Sequence, residues 1–206
     1  MIGRSQRTTS MKLTADQILY AYRQGFFPMA SGRNGHIKFC AFPVRGIVPL
    51  DDRFKVRRSV RQAERKEQFR VTFDTSFADV INACARHVTL PEEEIWLSEE
   101  LIPFYLELHE RGIAHSVEVW KKGLLVGGLY GLHLGSAFLG ESMFSNVAYA
   151  SQVALVHLVE RLREKQFELL DAQMATEHLK QFGLYEVLHK DYLDLLRPAL
   201  LEHREF

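Results

Sequence analysis

Between residues 114 and 172 the hydrophobic pattern changes period twice, and this succession limits the fold more than any other feature of the 206-residue chain. Three runs alternate as strands do: HSVEVW at 115–120, LLVGGLYGL at 124–132 and AFLGESM at 137–143, separated by the turn sequences KKG and HLGS. Ala150, Val153, Ala154, Leu158 and Leu162 then recur at helical spacing behind a capping Ser145 or Asn146, and FELLDA at 167–172 reads as a buried strand. A three-stranded antiparallel meander, a long helix and a further strand predict an α+β (mixed α/β) domain with an open, antiparallel-rich sheet flanked by helices.

Upstream, Thr14 and Gln17 have capping-box spacing ahead of Ile18, Leu19 and Tyr22, and Gly25 closes that short helix. The Gly, Pro and Asn residues between 30 and 52 predict loops, with 46–50 as a short edge strand. Arg57, Arg61 and Arg65, joined by Arg58 and Lys66, would form a cationic stripe on a helix. Residues 69–73 alternate as a strand, and Phe77, Val80, Ile81 and Cys84 mark the next helix, which places Cys84 in the core. An acidic loop at 91–94 leads to a helix carrying Leu101, Phe104, Tyr105 and Leu108, which ends at Gly112. Thr176 caps a short helix closed by Gly183, residues 185–187 form a last strand and 190–201 a last helix.

The net charge of zero conceals an asymmetry. Residues 1–70 hold 15 Lys and Arg against 5 Asp and Glu, whereas residues 71–206 hold 11 against 21. This predicts a small basic N-terminal lobe over 1–70 and a larger domain over 71–206, the first suited to a polyanion and the second to a cation. The only cysteines, Cys40 and Cys84, support neither a disulfide framework nor a zinc site. With no apolar run of membrane-spanning length and no secretory leader, the expected compartment is the reducing cytoplasm.

Two acids stand where a core prefers hydrocarbon. Strand alternation puts Glu141 on one face with Leu139 and Met143, and Asp171 on one face with Leu169 and Gln173. A carboxylate in such a place must be paired, neutralised or set in a cavity, so each acid either serves a site or is held by an Arg or a backbone amide. Glycines 127, 128, 131, 135 and 140 thin the adjacent strands, marking bulges and turns or the close approach of a ligand.

The segments HSVEVW at 115–120, LVGGLYG at 125–131, GESMFS at 140–145 and LDAQ at 170–173, in this order, resemble the leucyl/phenylalanyl-tRNA–protein transferases. AYRQGFFP at 21–28, PVRG at 43–46, Trp96, LHERG at 108–112 and TEHL at 176–179 belong to the same resemblance, which runs from about Leu19 to Leu196. It implies an acyl-CoA N-acyltransferase-like domain with a small N-terminal lobe. It also implies transfer of Leu or Phe, sometimes Met, from aminoacyl-tRNA to the α-amine of proteins beginning with Arg or Lys, marking them for degradation by the N-end rule. No metal and no cofactor is expected, since the aminoacyl ester is already activated, and the protein is expected to act as a monomer.

On this resemblance Asp171 would polarise Gln173, which orients the incoming amine, and Glu141 would attract the cationic acceptor. Leu129, Phe138, Met143 and Leu162 would form the pocket for the aminoacyl side chain. Tyr22, Trp96 and Tyr105 would stack on the terminal adenine, and Arg57, Arg58, Arg61, Arg65 and Lys66 would follow phosphates. The chain has Met29 where the family usually has Trp, an AFPVR run at 41–45 in place of SPDPR, Asn146 in place of Arg and Gln152 in place of Lys. The rival readings are an acyltransferase of the same fold with another donor and a non-catalytic adaptor for basic N-termini. An acyl-CoA enzyme should carry a glycine-rich phosphate loop before the long helix, and SNVAYA at 145–150 contains no glycine.

Overall fold

In a computed structural model of the chain, the structure describes residues 13–32, 35–86 and 96–206; the acidic loop expected at 91–94 lies outside them. Helix α1 (Ala15–Arg23) begins with a complete capping box between Thr14 and Gln17 and is followed by Gly25 at φ +83°. Strands β1 (Phe27–Ala30) and β2 (Ile37–Cys40) then pair antiparallel in a sheet of their own, where sequence reading predicted only loops.

The main sheet has seven strands. In chain order these are β3 (Val44–Ile47), β4 (Arg70–Phe73), β5 (Ala114–Lys121), β6 (Leu124–Leu134), β7 (Ala137–Ser145), β8 (Leu169–Asp171) and β9 (Tyr185–Leu188). In space they lie in the order β4-β5-β6-β7-β8-β3-β9, and only the β7–β8 pair is parallel. The meander expected from the period-two runs is β5-β6-β7. The expected edge strand is instead an interior one, because β3 pairs with β9 along four residues and with β8 through Ile47 and Asp171. Pro43 and Pro49 flank β3 without interrupting it, so its N–H groups stay available to the ladder. β3 lies before residue 70 yet is built into the main sheet, so that sheet draws strands from both sides of this position.

Helices cover both faces. On one side α1, α3 (Phe77–Arg86), α4 (Ile102–Glu110) and α7 (His189–Ala199) bury Ile18, Val80, Ile81, Leu108 and Leu196. On the other lies α5 (Ala150–Glu164), whose Val153, Ala154, Leu158 and Leu162 are buried as the sequence stripe predicts. Helix α2 (Arg58–Glu67) packs on α5 through Val60 and Ala63, and α6 (Glu177–Lys180) is the short helix capped by Thr176. Cys84 is a buried core residue whose thiol burial pushes up to about 12.

Strand β7 carries one irregularity. Tyr130 faces Ser142 and Gly131 faces Gly140, so Glu141 is an extra residue in the ladder, a β-bulge. The bulge shifts the side-chain phase by one position. Leu139 therefore packs with the α1/α3/α4/α7 side while Met143 packs with the α5 side, and the two do not share a face as unbroken alternation would require.

Candidate active site

β7 and β8 pair over three positions only, ending with Leu139 opposite Asp171. Past that point β7 continues to Ser145 against β6, whereas the chain after Asp171 leaves through a tight turn. The strands separate like the limbs of a V, and the gap between Gly140–Ser145 and residues 170–174 opens into a cavity of about 420 Å³. Val48, Leu129, Met143, Leu155, Leu158, Leu170 and Leu179 give one part of its wall a hydrocarbon surface. Glu141, Gln173 and His178 supply polar groups, and Met29, Phe42 and Trp96 also line it.

The bulge turns Glu141 away from the ladder and into a set of hydrogen bonds. Gln173 Nε2 donates to Glu141 Oε1 at 3.1 Å, and the Tyr105 hydroxyl donates to Oε2 at 2.9 Å. Behind Tyr105 stands Tyr22, with the two hydroxyl oxygens 2.8 Å apart. Burial pushes the Glu141 carboxyl up to about 7, against the opposing effect of the tyrosine hydrogen bonds, and the charge of Asp171 adds to the rise while that of Arg45 offsets it. Both phenols are raised well above their ordinary range, first by burial and then by the Glu141 charge.

Asp171 is fully buried at 0% exposure, and so is its partner Arg45 at 1%. The Arg45 guanidinium grips Asp171 Oδ2 through Nη2, and its Nε lies 3.4 Å from Oδ1. The same Oδ1 accepts the Gln173 backbone N–H at 2.8 Å. Gln173 has φ +59°, a left-handed conformation uncommon for a side-chain-bearing residue, and the Met174 N–H closes the turn by donating to the Ala172 carbonyl at 2.6 Å. Gly46 permits this packing, because a Cβ there would lie 3.0 Å from both Met174 C and Ala175 N. Strain of this kind persists only where the surroundings fix it, and here they do so through β3.

Of the residues expected at the site, Glu141, Asp171 and Gln173 meet, but Asp171 contacts the backbone N–H of Gln173 and not its carboxamide. The expected direct polarisation of that amide is replaced by control of the turn. Leu129 and Met143 line the cavity. Phe138 and Leu162 do not: both are fully buried in the core on the α5 side, and α5 presents Leu158 and Leu155, one and two turns before Leu162, to the cavity. Tyr22 and Tyr105 offer no free ring face, being 2% and 0% exposed, so adenine stacking on them is corrected to support of Glu141. Trp96 is on the cavity wall, its carbonyl held at 2.9 Å by the Ala30 N–H. Arg57, Arg58, Arg61, Arg65 and Lys66 all lie exposed on or beside α2, without an ion pair among the described residues, and outside the cavity.

Sequence reading missed Arg45 as a site residue. A lone Arg inside the otherwise apolar FPVRGIVPL run is the signal that could have found it, since a buried cation demands an acid. Val48, Leu155, Leu158 and Leu170 were hidden because cavity lining depends on where two strands part. Among the described residues no group of three or more His, Cys, Asp or Glu side chains could hold a metal ion, and no helix is long and apolar enough to cross a membrane.

A seven-stranded sheet parting beside a bulge, with helices on both faces, is the acyl-CoA N-acyltransferase-like fold. The solved structure of FemX superposes with a TM-score of 0.51 at 13% identity, covering 88% of this chain and 71% of that one. The leucyl/phenylalanyl-tRNA protein transferase family model matches residues 47–197, and the model of that family's N-terminal domain matches residues 11–41. A leucyl/phenylalanyl-tRNA–protein transferase from Paramagnetospirillum magneticum is 51% identical over 191 residues, 92% of this chain and 90% of the relative. One from Akkermansia muciniphila is 47% identical over 191 residues, 93% of this chain and 98% of the relative. The chain belongs to the leucyl/phenylalanyl-tRNA–protein transferase family.

Proposed function

We propose that the protein moves Leu or Phe, and sometimes Met, from the 3′ end of aminoacyl-tRNA to the α-amine of proteins that begin with Arg or Lys, tagging them for degradation by the N-end rule. It does so as a cytoplasmic monomer. The observation that carries this reading is one cavity with hydrocarbon on part of its wall and the Glu141–Gln173 pair on another. An unbranched or γ-branched apolar side chain fits against Leu129, Met143, Leu155 and Leu158, and the ester linkage is thereby brought towards Gln173.

The acceptor enters from the polar side. Its cationic first side chain is drawn to Glu141, and its α-amine hydrogen-bonds to the Gln173 carboxamide oxygen, which accepts no bond from the described residues while Nε2 is committed to Glu141. The amine nitrogen attacks the ester carbonyl carbon, an amide bond forms, the bond to the ribose 3′-oxygen breaks, and the proton lost by nitrogen ends on that oxygen. Because a free α-amine titrates at about 7.7–8, roughly a tenth to a third is already neutral near pH 7–7.4, and Glu141 can take a further proton. On this reading Trp96, on the cavity wall, stacks on the terminal adenine, and the exposed α2 cations hold phosphates of the tRNA body.

The test is a transfer assay with leucyl-, phenylalanyl- and methionyl-tRNA against peptides that differ only in the first residue. Incorporation into Arg- and Lys-initiated peptides, and not into Glu- or Ala-initiated ones, is the expected result. If no donor is used, the protein is an adaptor or takes another acyl donor.

A further inference from the structure

Arg45 does not line the cavity, yet it is the largest fully buried side chain among the described residues. Its guanidinium is held on every side. Nη1 donates to the Gly25 carbonyl at 3.3 Å and Nη2 to the Tyr192 hydroxyl at 3.3 Å, in addition to the grip on Asp171. The Phe27 ring lies 5.0 Å and the Tyr192 ring 4.3 Å from Arg45 Cζ, so the cation also rests against two aromatic rings. Three remote segments therefore converge on it: the α1–β1 turn, β8 and α7.

A buried ion pair of this kind adds little net stability, and replacing both partners by apolar residues is often neutral or stabilising. Its retention next to a reaction centre calls for another explanation, and the turn at Gln173 supplies one. Only one carboxylate oxygen of Asp171 faces Gln173, where it accepts the backbone N–H; the other is taken by Arg45. The planar fork fixes the rotation of the carboxylate, the carboxylate fixes the N–H, and the N–H fixes the left-handed turn that aims the carboxamide at Glu141.

We propose that Arg45 is a positioning residue for aminoacyl transfer, acting through Asp171 and the Gln173 backbone to set the direction of the Gln173 carboxamide. Asp171 on this view is a backbone clamp and touches no reactant. The proposal rests on the aminoacyl-transfer reading of the cavity, and a misdirected carboxamide should lower turnover and leave binding of both substrates intact.

Two variants and two readouts test it. Arg45→Lys keeps the charge and loses the fork; it is expected to reduce kcat about 100-fold with the KM of donor and acceptor within about threefold, as misplacement of a reacting group by about 1 Å does. The double variant Arg45→Met/Asp171→Leu replaces the pair by hydrocarbon, should melt no lower than the parent, and should be as slow as Gln173→Ala. In both, the Gln173 amide resonance in a nitrogen–proton correlation spectrum should move away from its hydrogen-bonded position, a signal that needs no activity and so stands even if the parent protein transfers nothing. Parental kcat in either folded variant, a loss confined to KM, or an unmoved Gln173 amide would overturn the proposal. Failure of the parent itself in the transfer assay would instead count against the function reading.

Discussion

The Gln173 carboxamide nitrogen lies 3.1 Å from Glu141 Oε1, joining a residue in a left-handed turn after β8 to the extra residue of a bulge in β7. Two local departures from regular strand geometry thus meet at one hydrogen bond, and each places its side chain where ordinary alternation would not.

Acceptor binding should depend on pH through Glu141. The neutral carboxyl that predominates below about 7 has no charge to offer an Arg or Lys side chain. Calorimetric binding of an Arg-initiated peptide without donor should therefore weaken about tenfold for each pH unit below 7 and level off above it. Tyr105→Phe removes a donor to the carboxylate and should shift this transition to higher pH. A flat profile between pH 5.5 and 8 would remove Glu141 from acceptor recognition.

The same group should make folding stability fall with pH. In the unfolded chain Glu141 titrates near 4.5 and in the folded protein near 7, so between these values the folded state holds more protons and loses stability as pH rises. The loss is complete above 7 and amounts to at most about 3 kcal/mol, less where water in the cavity screens the charge. Glu141→Gln should abolish this component, which denaturant titrations at pH 5 and pH 8 would reveal as a smaller difference between the two conditions.

Strain and activity should separate at Gln173. Glycine adopts φ +59° freely, whereas other residues forfeit about 1 kcal/mol there. Gln173→Gly is expected to melt within a few degrees of the parent and yet to lose transfer by about 100-fold or more. A large drop in melting temperature would mean that the carboxamide bond to Glu141 holds the turn, and not Asp171 and β3.

Donor choice should follow the α5 side of the cavity. Leu158→Phe narrows it and should favour leucyl over phenylalanyl transfer by about tenfold, a discrimination typical of pockets that sort hydrocarbon by size. Competition between the two charged tRNAs in one assay measures the ratio directly, and an unchanged ratio would place the aminoacyl side chain elsewhere.

Salt dependence should report the α2 stripe. Each exposed cation that contacts phosphate makes the slope of log affinity against log salt more negative by about 1, so Arg61→Ala/Arg65→Ala should make it shallower by about 2. The double variant should leave the use of a bare aminoacyl-adenosine unaffected, because α2 lies outside the cavity.

What could be seen in the sequence was whatever depends on local periodicity. The meander, the α5 stripe, the Thr14 and Thr176 caps and the approach of Asp171 to Gln173 come from spacings of two, three or four residues. The phase of Leu139 against Met143 did not, because one inserted residue at Glu141 reverses the alternation without changing the composition. Nor did the place of β3, which is settled by partners more than a hundred residues away. The tyrosines were legible on the apolar sides of their helices but not as partners of Glu141: the hydrogen-bonded chain Tyr22–Tyr105–Glu141 requires α1 and α4 to lie side by side. Phe138 and Leu162 had the right chemistry for a pocket in the wrong turn of the structure.

The insertion of β3 between β8 and β9 also says when a growing polypeptide acquires its chemistry. Val44–Ile47 leaves the ribosome well before its ladder partners at Asp171 and Tyr185–Leu188, which lie more than a hundred residues further along the chain. Closing so long a loop is slow and cannot begin before the C-terminal strands emerge. Until then Arg45 has no acid to grip and Gln173 no turn to occupy, so a nascent or prematurely ended chain carries the α2 cations but not yet the turn that aims Gln173 at Glu141.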